Sequence, residues 1–502
     1  MKKTLLNTLV LLTPLFVFAQ ENGEVKSMQI LTMNQTTVLD FGASVSSYSA
    51  NKIITGCTNG TGNGEIFIQN LNSNGIVQST VRITRNEGGF GDHAISGHHF
   101  GASVTNVGDL NDDGIDDIVV GAPAFNGRRG SLWFLFLDAD GQVIGERRLS
   151  DTTPTFQHLN NLDRFGISVT NIGDIDGNGY DDIAVGAPFQ NISSSDNGSV
   201  YIILLEKDGK VKSYSRINDN NNLFGREHWH FGSSVANIGD IDGDGNTDLA
   251  VGEPDDTDAL WILFLNSSGT LKGVQEIGEG KGGFTDSFDI NPSFGHSVTN
   301  LGDIDGDGVN DIAVGAIGRT YIDSVGSFFG AVWVLLLNAD GTVKKNIKIG
   351  NGTGGFTGNI KNGDRFGWSV SRVPDLDGDS VPELAVGSTG FDVASGSGAV
   401  YILFLKGVPQ VSVPHIAAPA LQVQVYPNPA KEMLHISLSQ AQSGKVSLQL
   451  LDMHGRVIKT RHFPNAFEEL QLDISDVQSA GLYLLQIEQG GQLLHKKIRI
   501  ER

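Results

Sequence analysis

Between residues 100 and 150 the alternation of apolar and polar side chains changes character four times. Phe100-Gly-Ala-Ser-Val-Thr-Asn-Val107 alternates, as a half-buried strand does. An acidic loop from Asp109 to Asp117 follows, then the apolar run Ile118 to Ala122, closed by Pro123. Ser131 to Asp138 reads Ser-Leu-Trp-Phe-Leu-Phe-Leu-Asp, apolar on both faces, as a strand sandwiched between layers must be. Ala139-Asp140-Gly141 supplies a hairpin turn, and Gln142 to Leu149 alternates weakly, like an outer strand. The pattern predicts a four-stranded antiparallel sheet.

The same pattern returns along the chain. Phe-Gly pairs open each copy at Phe41, Phe100, Phe165, Phe231, Phe294 and Phe366, between 59 and 72 residues apart. A period of that size marks stacked supersecondary units, none of which buries its apolar face alone. One aromatic recurs in each third strand, at Phe67, Trp133, Tyr201, Trp261, Trp333 and Tyr401, where packing between units is expected. The last copy lacks a fourth strand, because Leu405 runs into Lys-Gly-Val-Pro. Asn22-Gly-Glu-Val-Lys-Ser-Met-Gln-Ile30 resembles the fourth-strand segments at Asp208 and Asp340, so the N-terminal segment is expected to complete that sheet. Closing a ring in this way removes exposed sheet edges. The expected fold is all-β: a six-bladed β-propeller, with seven blades as the alternative, spanning residues 20–406, and a small C-terminal Ig-like β-sandwich.

Composition narrows the function. The 65 glycines suit a turn-rich β protein, and 35 Lys+Arg against 57 Asp+Glu leave a net charge of −22. That charge argues against nucleic acid or an anionic membrane as partner, and it suits bound cations. Residues 1–19 read as a signal peptide: Lys2 and Lys3, an apolar run from Leu5 to Phe18, then Ala19. The run is short for a membrane span and no second one follows. Cys57 is the only cysteine, so an exported chain must gain rigidity from something other than a disulfide.

The acids are not scattered. Nine-residue loops place them at the first, third, fifth and ninth positions, and a backbone carbonyl is expected from the seventh. The five sets are Asp109, Asn111, Asp113, Ile115 and Asp117; Asp174, Asp176, Asn178, Tyr180 and Asp182; Asp240, Asp242, Asp244, Asn246 and Asp248; Asp303, Asp305, Asp307, Val309 and Asp311; and Asp375, Asp377, Asp379, Val381 and Glu383. Hard oxygen donors without histidine or cysteine select Ca2+, and a flexible loop with several carboxylates disfavours magnesium. Asp/Gly turns capped by their own side chains are the alternative. Four loops keep the full spacing. The fifth is degraded by Ser380, Pro382 and Glu383, and the first copy has Ser46 to Thr55 where a loop would stand.

Phe165-Gly166, Gly173 to Asp182 and Val185-Gly-Ala-Pro188, with Val120 to Pro123 and the variant Val251-Gly-Glu-Pro254, resemble the FG-GAP repeat of integrin alpha-subunit propellers. The resemblance covers about residues 24 to 405. It implies a propeller with calcium in the loops between first and second strands, and ligands on the opposite face. Two departures stand out: six copies where integrins have seven, and no room for the inserted von Willebrand-type domain that some carry.

Residues 407–422 read as a linker, and alternating segments at Leu434 to Leu438, Val446 to Leu451 and Tyr483 to Glu488 suit a small sandwich over 423–502. Tyr426-Pro-Asn-Pro-Ala430, Leu451-Asp-Met-His-Gly-Arg456, Gly481-Leu-Tyr483 and the basic end Lys496 to Arg502 look like the C-terminal sorting domain of the type IX secretion system of Bacteroidota. That resemblance implies the type IX secretion machinery as a partner, passage across the outer membrane, and a secreted or surface-attached product. An ordinary immunoglobulin-like module is the alternative.

No nucleophile elbow, helical His-x-x-x-His or phosphate-cradling glycine loop is found, so no catalytic residue is assigned. Histidines His98, His99, His158, His228 and His230 gather in the connections before the Phe-Gly pairs, where they are either solvated or functional. Phe90, Phe284 and Phe356, with Phe156 and Phe224 as rough equivalents, fall in the same connections as plugs of the sheet edge or as contacts for a sugar. The expected function is a secreted or cell-surface calcium-binding module for adhesion to an extracellular protein or glycan. A lectin, a polysaccharide-active enzyme or a purely structural protein on the same scaffold are the alternatives.

Overall fold

The computed structural model of the chain describes residues 22–33, 39–49, 51–58, 64–93, 97–154, 156, 159–190, 197–218, 224, 230–254, 257–288, 292–318, 329–391, 397–407, 422–427, 429–439, 446–452, 457–463, 469–477, 479, 481–489 and 492–501. The segment read as a signal peptide and nearly all of the linker lie outside them. They form two compact units, one up to residue 410 and one from residue 411.

The first unit holds six four-stranded antiparallel sheets among the described residues. In the third copy, Ser168–Gly173 is the inner strand, followed by Asp182–Ala187, Ser199–Glu206 and the outer strand Lys210–Ile217. The two middle strands are buried almost throughout and the outer one alternates, as the apolar pattern requires. Register sets Val185 opposite Tyr201, Val251 opposite Trp261 and Val314 opposite Trp333. The recurring third-strand aromatics are therefore packed between sheets, and all six are buried.

The inner strands touch one another in chain order, and Ser44–Ser49 also touches Phe366–Val373, the inner strand of the last sheet. A circuit of hydrogen bonds runs through them. Each inner-strand serine donates to the carbonyl of the next Phe-Gly glycine: Ser44 to Gly101, Ser103 to Gly166, Ser168 to Gly232, Ser234 to Gly295 and Ser297 to Gly367, at 2.8–3.0 Å. Ser369 returns to Gly42 at 2.8 Å. The approach is so close that second-strand residues Gly121, Gly186 and Gly387 have no room for a side chain. A Cβ on any of them would lie 1.9–2.1 Å from the same carbonyls. Val25–Leu31 pairs antiparallel with Ala399–Leu405, so the N-terminal strand is the fourth strand of the sixth sheet. Leu31, Phe41, Phe67, Val400 and Ile402 share one apolar cluster across that seam. These repeated sheets are consistent with a β-propeller.

The second unit has a three-stranded sheet of Gln422–Tyr426, Met433–Ser439 and Glu469–Asp473. A four-stranded sheet of Val457–Phe463, Val446–Asp452, Gly481–Gln489 and Gln492–Ile500 accompanies it. Leu434, Ile436, Leu448, Leu485 and Ile498 form a common core, which makes a small β-sandwich. Among the described residues, no helix is long and apolar enough to cross a membrane.

Candidate metal centres

The acidic loops join first to second strands, so they all emerge at the same end of their sheets. Each wraps around its first aspartate. Asp109 accepts backbone N–H groups from Asp113 and Gly114 at 3.0 and 2.8 Å. Asp174, Asp240 and Asp303 hold the matching amides of their own loops, and Asp375 reaches Asp379 and Ser380 at 3.2 and 2.7 Å. The fifth-place side chains of Asp113, Asn178, Asp244, Asp307 and Asp379 accept the amides of Ile115, Tyr180, Asn246, Val309 and Val381 at 2.8–2.9 Å. These side-chain turns bend the loop and bring alternate positions to one side.

The ninth-place carboxylates are buried, because they begin the second strand, or for Asp117 immediately precede it, and tie it to the third. Asp117, Asp182, Asp248 and Asp311 each accept one amide from their loop and one from the end of the third strand, at 2.8–3.1 Å. Among the described residues, Glu383 accepts only the Leu376 amide, at 2.7 Å, and its Oε1 is buried with no hydrogen-bond partner. Burial pushes the carboxyl of Asp117 up to about 7, Asp182 and Asp248 to about 6, Asp311 to about 7 and Glu383 to about 8. Backbone amides oppose that rise and the neighbouring acids add to it.

Four loops bring carboxylate oxygens within 4.8 Å of one another: Asp174, Asp176 and Asp182; Asp240, Asp242 and Asp248; Asp303, Asp305 and Asp311; and Asp375, Asp377, Asp379 and Glu383. The loop expected to be the degraded one thus gathers all four of its acids. The loop from Asp109 to Asp117 is not among these clusters. Its third place is Asn111, whose amide donates to Asp113 at 2.9 Å instead of adding a charge.

Each of the four clusters also meets an ammonium group from an outer strand. Lys212 pairs with Asp176 at 2.8 Å, and Lys272 with Asp242 and Asp244 at 2.6 and 2.5 Å. Lys344 pairs with Asp305 and Asp307, and Lys26 with Asp377 and Asp379. The second sheet has Ile144 at the equivalent position, and its loop is the one outside the clusters. Hydrogen bonds to Asp242 and Asp244 raise the Lys272 pKa above the usual lysine range. A lysine in this position stands in for a cation: it fills part of the demand that a divalent ion would meet in full. The all-oxygen donor set, the orphaned Glu383 Oε1 and the buried, unpartnered Asp305 Oδ1 fit a hard divalent cation.

Among the described residues, the connections before the Phe-Gly pairs carry no comparable cluster. Phe90, Phe156, Phe224, Phe284 and Phe356 are buried, and their rings lie 4.9–5.2 Å from Phe100, Phe165, Phe231, Phe294 and Phe366. They are plugs of the sheet edge. His98 packs edge-on against Phe125 and His230 lies tilted against Phe189, while His158 and His228 lie outside the described residues.

Comparison with known proteins agrees with this geometry. The FG-GAP repeat model matches residues 100–135, 165–203, 231–269, 294–335 and 366–403, and the secretion system C-terminal sorting domain model matches 424–501. Integrin alpha-4 of Xenopus laevis is 34% identical over 157 residues, 31% of this chain and 14% of that protein. Integrin alpha-6 of Gallus gallus is 30% identical over 243 residues, 47% of this chain and 20% of its own length. Integrin alpha pat-2 of Caenorhabditis elegans is 33% identical over 244 residues, 45% and 18% respectively. The chain spans a fifth or less of each of these relatives. The copy at Phe41 lies outside the matched ranges, yet it folds into the same four-stranded sheet, with two residues between its first two strands where the others have the acidic loop. The chain therefore carries five FG-GAP repeats of the integrin alpha type, followed by a secretion system C-terminal sorting domain.

Proposed function

We propose that this chain is an exported, calcium-stiffened six-bladed propeller that acts as a non-enzymatic adhesion or ligand-binding module. The observation that carries this reading is the convergence of carboxylates in four loops at one end of successive sheets. Calcium is assigned to first, third, fifth and ninth side chains of each loop, with a carbonyl from the seventh, including the loop from Asp109 to Asp117. When bound, the ion neutralises carboxylates that otherwise repel one another. The chain's own residues do the rest: the ninth-place acid fixes the second strand to the third, and the first aspartate holds the turn.

The serine–glycine circuit and the N-terminal strand support a closed ring of six. Similarity to integrin alpha subunits supports recognition of an extracellular protein or glycan on the face away from the acidic loops. Residues 1–19 serve as the export signal, 407–422 as the linker and 423–502 as the sorting module, delivering the propeller to the cell surface or beyond. The test is calcium titration of the purified protein, then capture on arrays of matrix proteins and glycans with and without chelator. Calcium uptake with chelator-sensitive capture supports the reading. A protein that takes up no calcium and melts identically with it sinks the reading, and turnover of a polysaccharide would overturn its non-enzymatic part.

A further inference from the structure

At the end opposite the acidic loops, the six inner strands surround a cavity of about 580 Å³. The residue before each Phe-Gly pair has left-handed backbone, with φ of 52–63° at Asp40, His99, Arg164, His230, Ser293 and Arg365, and all of these but His230 line the cavity. That conformation costs any residue with a side chain, and asparagine, aspartate or glycine bears it best. Because all six copies share it, the conformation belongs to the architecture. The identity of the side chain does not, and two of six positions hold arginine.

Arg164 and Arg365 come from the third and sixth copies, on opposite sides of the ring. Both line the cavity. The Arg164 guanidinium lies 4.2 Å from the centre of the Phe189 ring, and that of Arg365 lies 5.3 Å from Trp368. Neither guanidinium has an ion-pair or hydrogen-bond partner among the described residues, although the chain as a whole carries −22. Among the described residues, Asp40 is the one acidic residue lining the cavity. His296, whose Nδ1 donates to the Trp368 carbonyl at 3.0 Å, is pushed down to about 4 by burial and is neutral. Two hydroxyls that line the cavity, Ser293 Oγ and Thr389 Oγ1, are buried without a partner, their residues 2% and 4% exposed. Unpaired guanidinium groups and orphaned hydroxyls around one opening are an unfilled demand for an anion with acceptor oxygens.

We propose that this cavity receives a carboxylate of an acidic peptide between Arg164 and Arg365, an inference that rests on the ligand-binding reading above. Below the rim the wall is built from one valine and one serine of each inner strand. The serine hydroxyls already donate to the glycine circuit, so the wall offers a ligand aliphatic surface and few free donors. That suits the carbon chain of a peptide and leaves sugar hydroxyls unpaired. A long polyanion is repelled by the overall charge.

The test uses the full mature chain and two probes by calorimetry: N-acetylated Ala-Val-Glu as the free acid, and the same tripeptide with every carboxylate amidated. The free acid should bind and the amide should not. Arg164→Met and Arg365→Met should each weaken binding about tenfold or more, as loss of a charge-assisted contact does. Asp40→Asn should strengthen it, a change of opposite sign that misfolding cannot imitate. Equal binding of acid and amide, no binding of either, full affinity in both arginine variants, or glucuronic acid binding where the peptide does not, each overturns the proposal. Array capture by the unmodified chain that survives in the arginine double variant would leave the adhesion reading standing while this site falls.

Discussion

Removing divalent cations should make stability fall as pH rises from 7 to 8.5, and calcium should abolish that fall. Asp117 and Asp311 have folded values of about 7 and Glu383 of about 8, against 3.8 and 4.5 for the free groups. In this window the unfolded chain has already released those protons while the metal-free fold still holds part of them. The folded state binds more protons, so stability drops with rising pH until the folded values are passed. At about 1.4 kcal/mol per pH unit of full protonation difference, Glu383 contributes a loss of about 1 kcal/mol. Asp117 and Asp311 add about 0.4 kcal/mol each, for about 2 kcal/mol in all. His98, His99 and His296 are depressed by burial and pull the other way, but their unfolded value of 6.5 lies below the window. The loop acids with lowered values, such as Asp174, are ionised in both states throughout it. For a unit of this size the drop corresponds to roughly 2–3 °C in Tm. The assay is a series of thermal melts of stripped protein at pH 7, 7.75 and 8.5, repeated with millimolar calcium. Metal-free stability that is level or rising across the series, or the same slope with calcium present, would refute the reasoning.

Gly387→Ala should abolish folding or cost more than about 3 kcal/mol in chemical denaturation, because its Cβ would lie 2.1 Å from the Gly42 carbonyl that closes the circuit. An unchanged midpoint would mean the seam is not as close as described. Lys344→Met should raise calcium affinity at its loop, by less than tenfold since the lysine is partly solvated, whereas Ile144→Lys should weaken binding at the loop from Asp109 to Asp117. Calorimetric titration of the two variants reads both directions. Deleting residues 424–501 should prevent delivery outside the cell while leaving the melting of the first unit unchanged, which fractionation and calorimetry of the truncated chain would check.

The apolar alternation was enough to read the repeated sheet, its third-strand aromatics and the N-terminal fourth strand, because each is a local pattern repeated six times. What crosses between copies was not legible. Ser44 and Gly101 are 57 residues apart, and nothing near either one signals a hydrogen bond. The lysine counter-charges left a trace in Gly-x-Val/Leu-Lys at Lys26, Lys212, Lys272 and Lys344, which reads as strand sequence. Their electrostatic role shows only when the outer strand folds back over a loop 30 residues away, as Lys272 does onto Asp242. Ser380, Pro382 and Glu383 suggest a weakened loop, yet the longer glutamate still reaches the cluster, while the conservative Asn111 removes a charge from another.

The strand Val25–Leu31 finds its ladder partner only at Ala399–Leu405, and Lys26 meets Asp379 across 353 positions. A chain emerging from its N-terminal end can therefore assemble interior repeats as they arrive, but its opening strand must wait, unpaired, for the last repeat. Completion is a single late event that joins the oldest and newest parts of the polypeptide. Any process that holds the two apart, whether synthesis, translocation or a clipped N-terminal segment, leaves one sheet a strand short and its edge open to other chains.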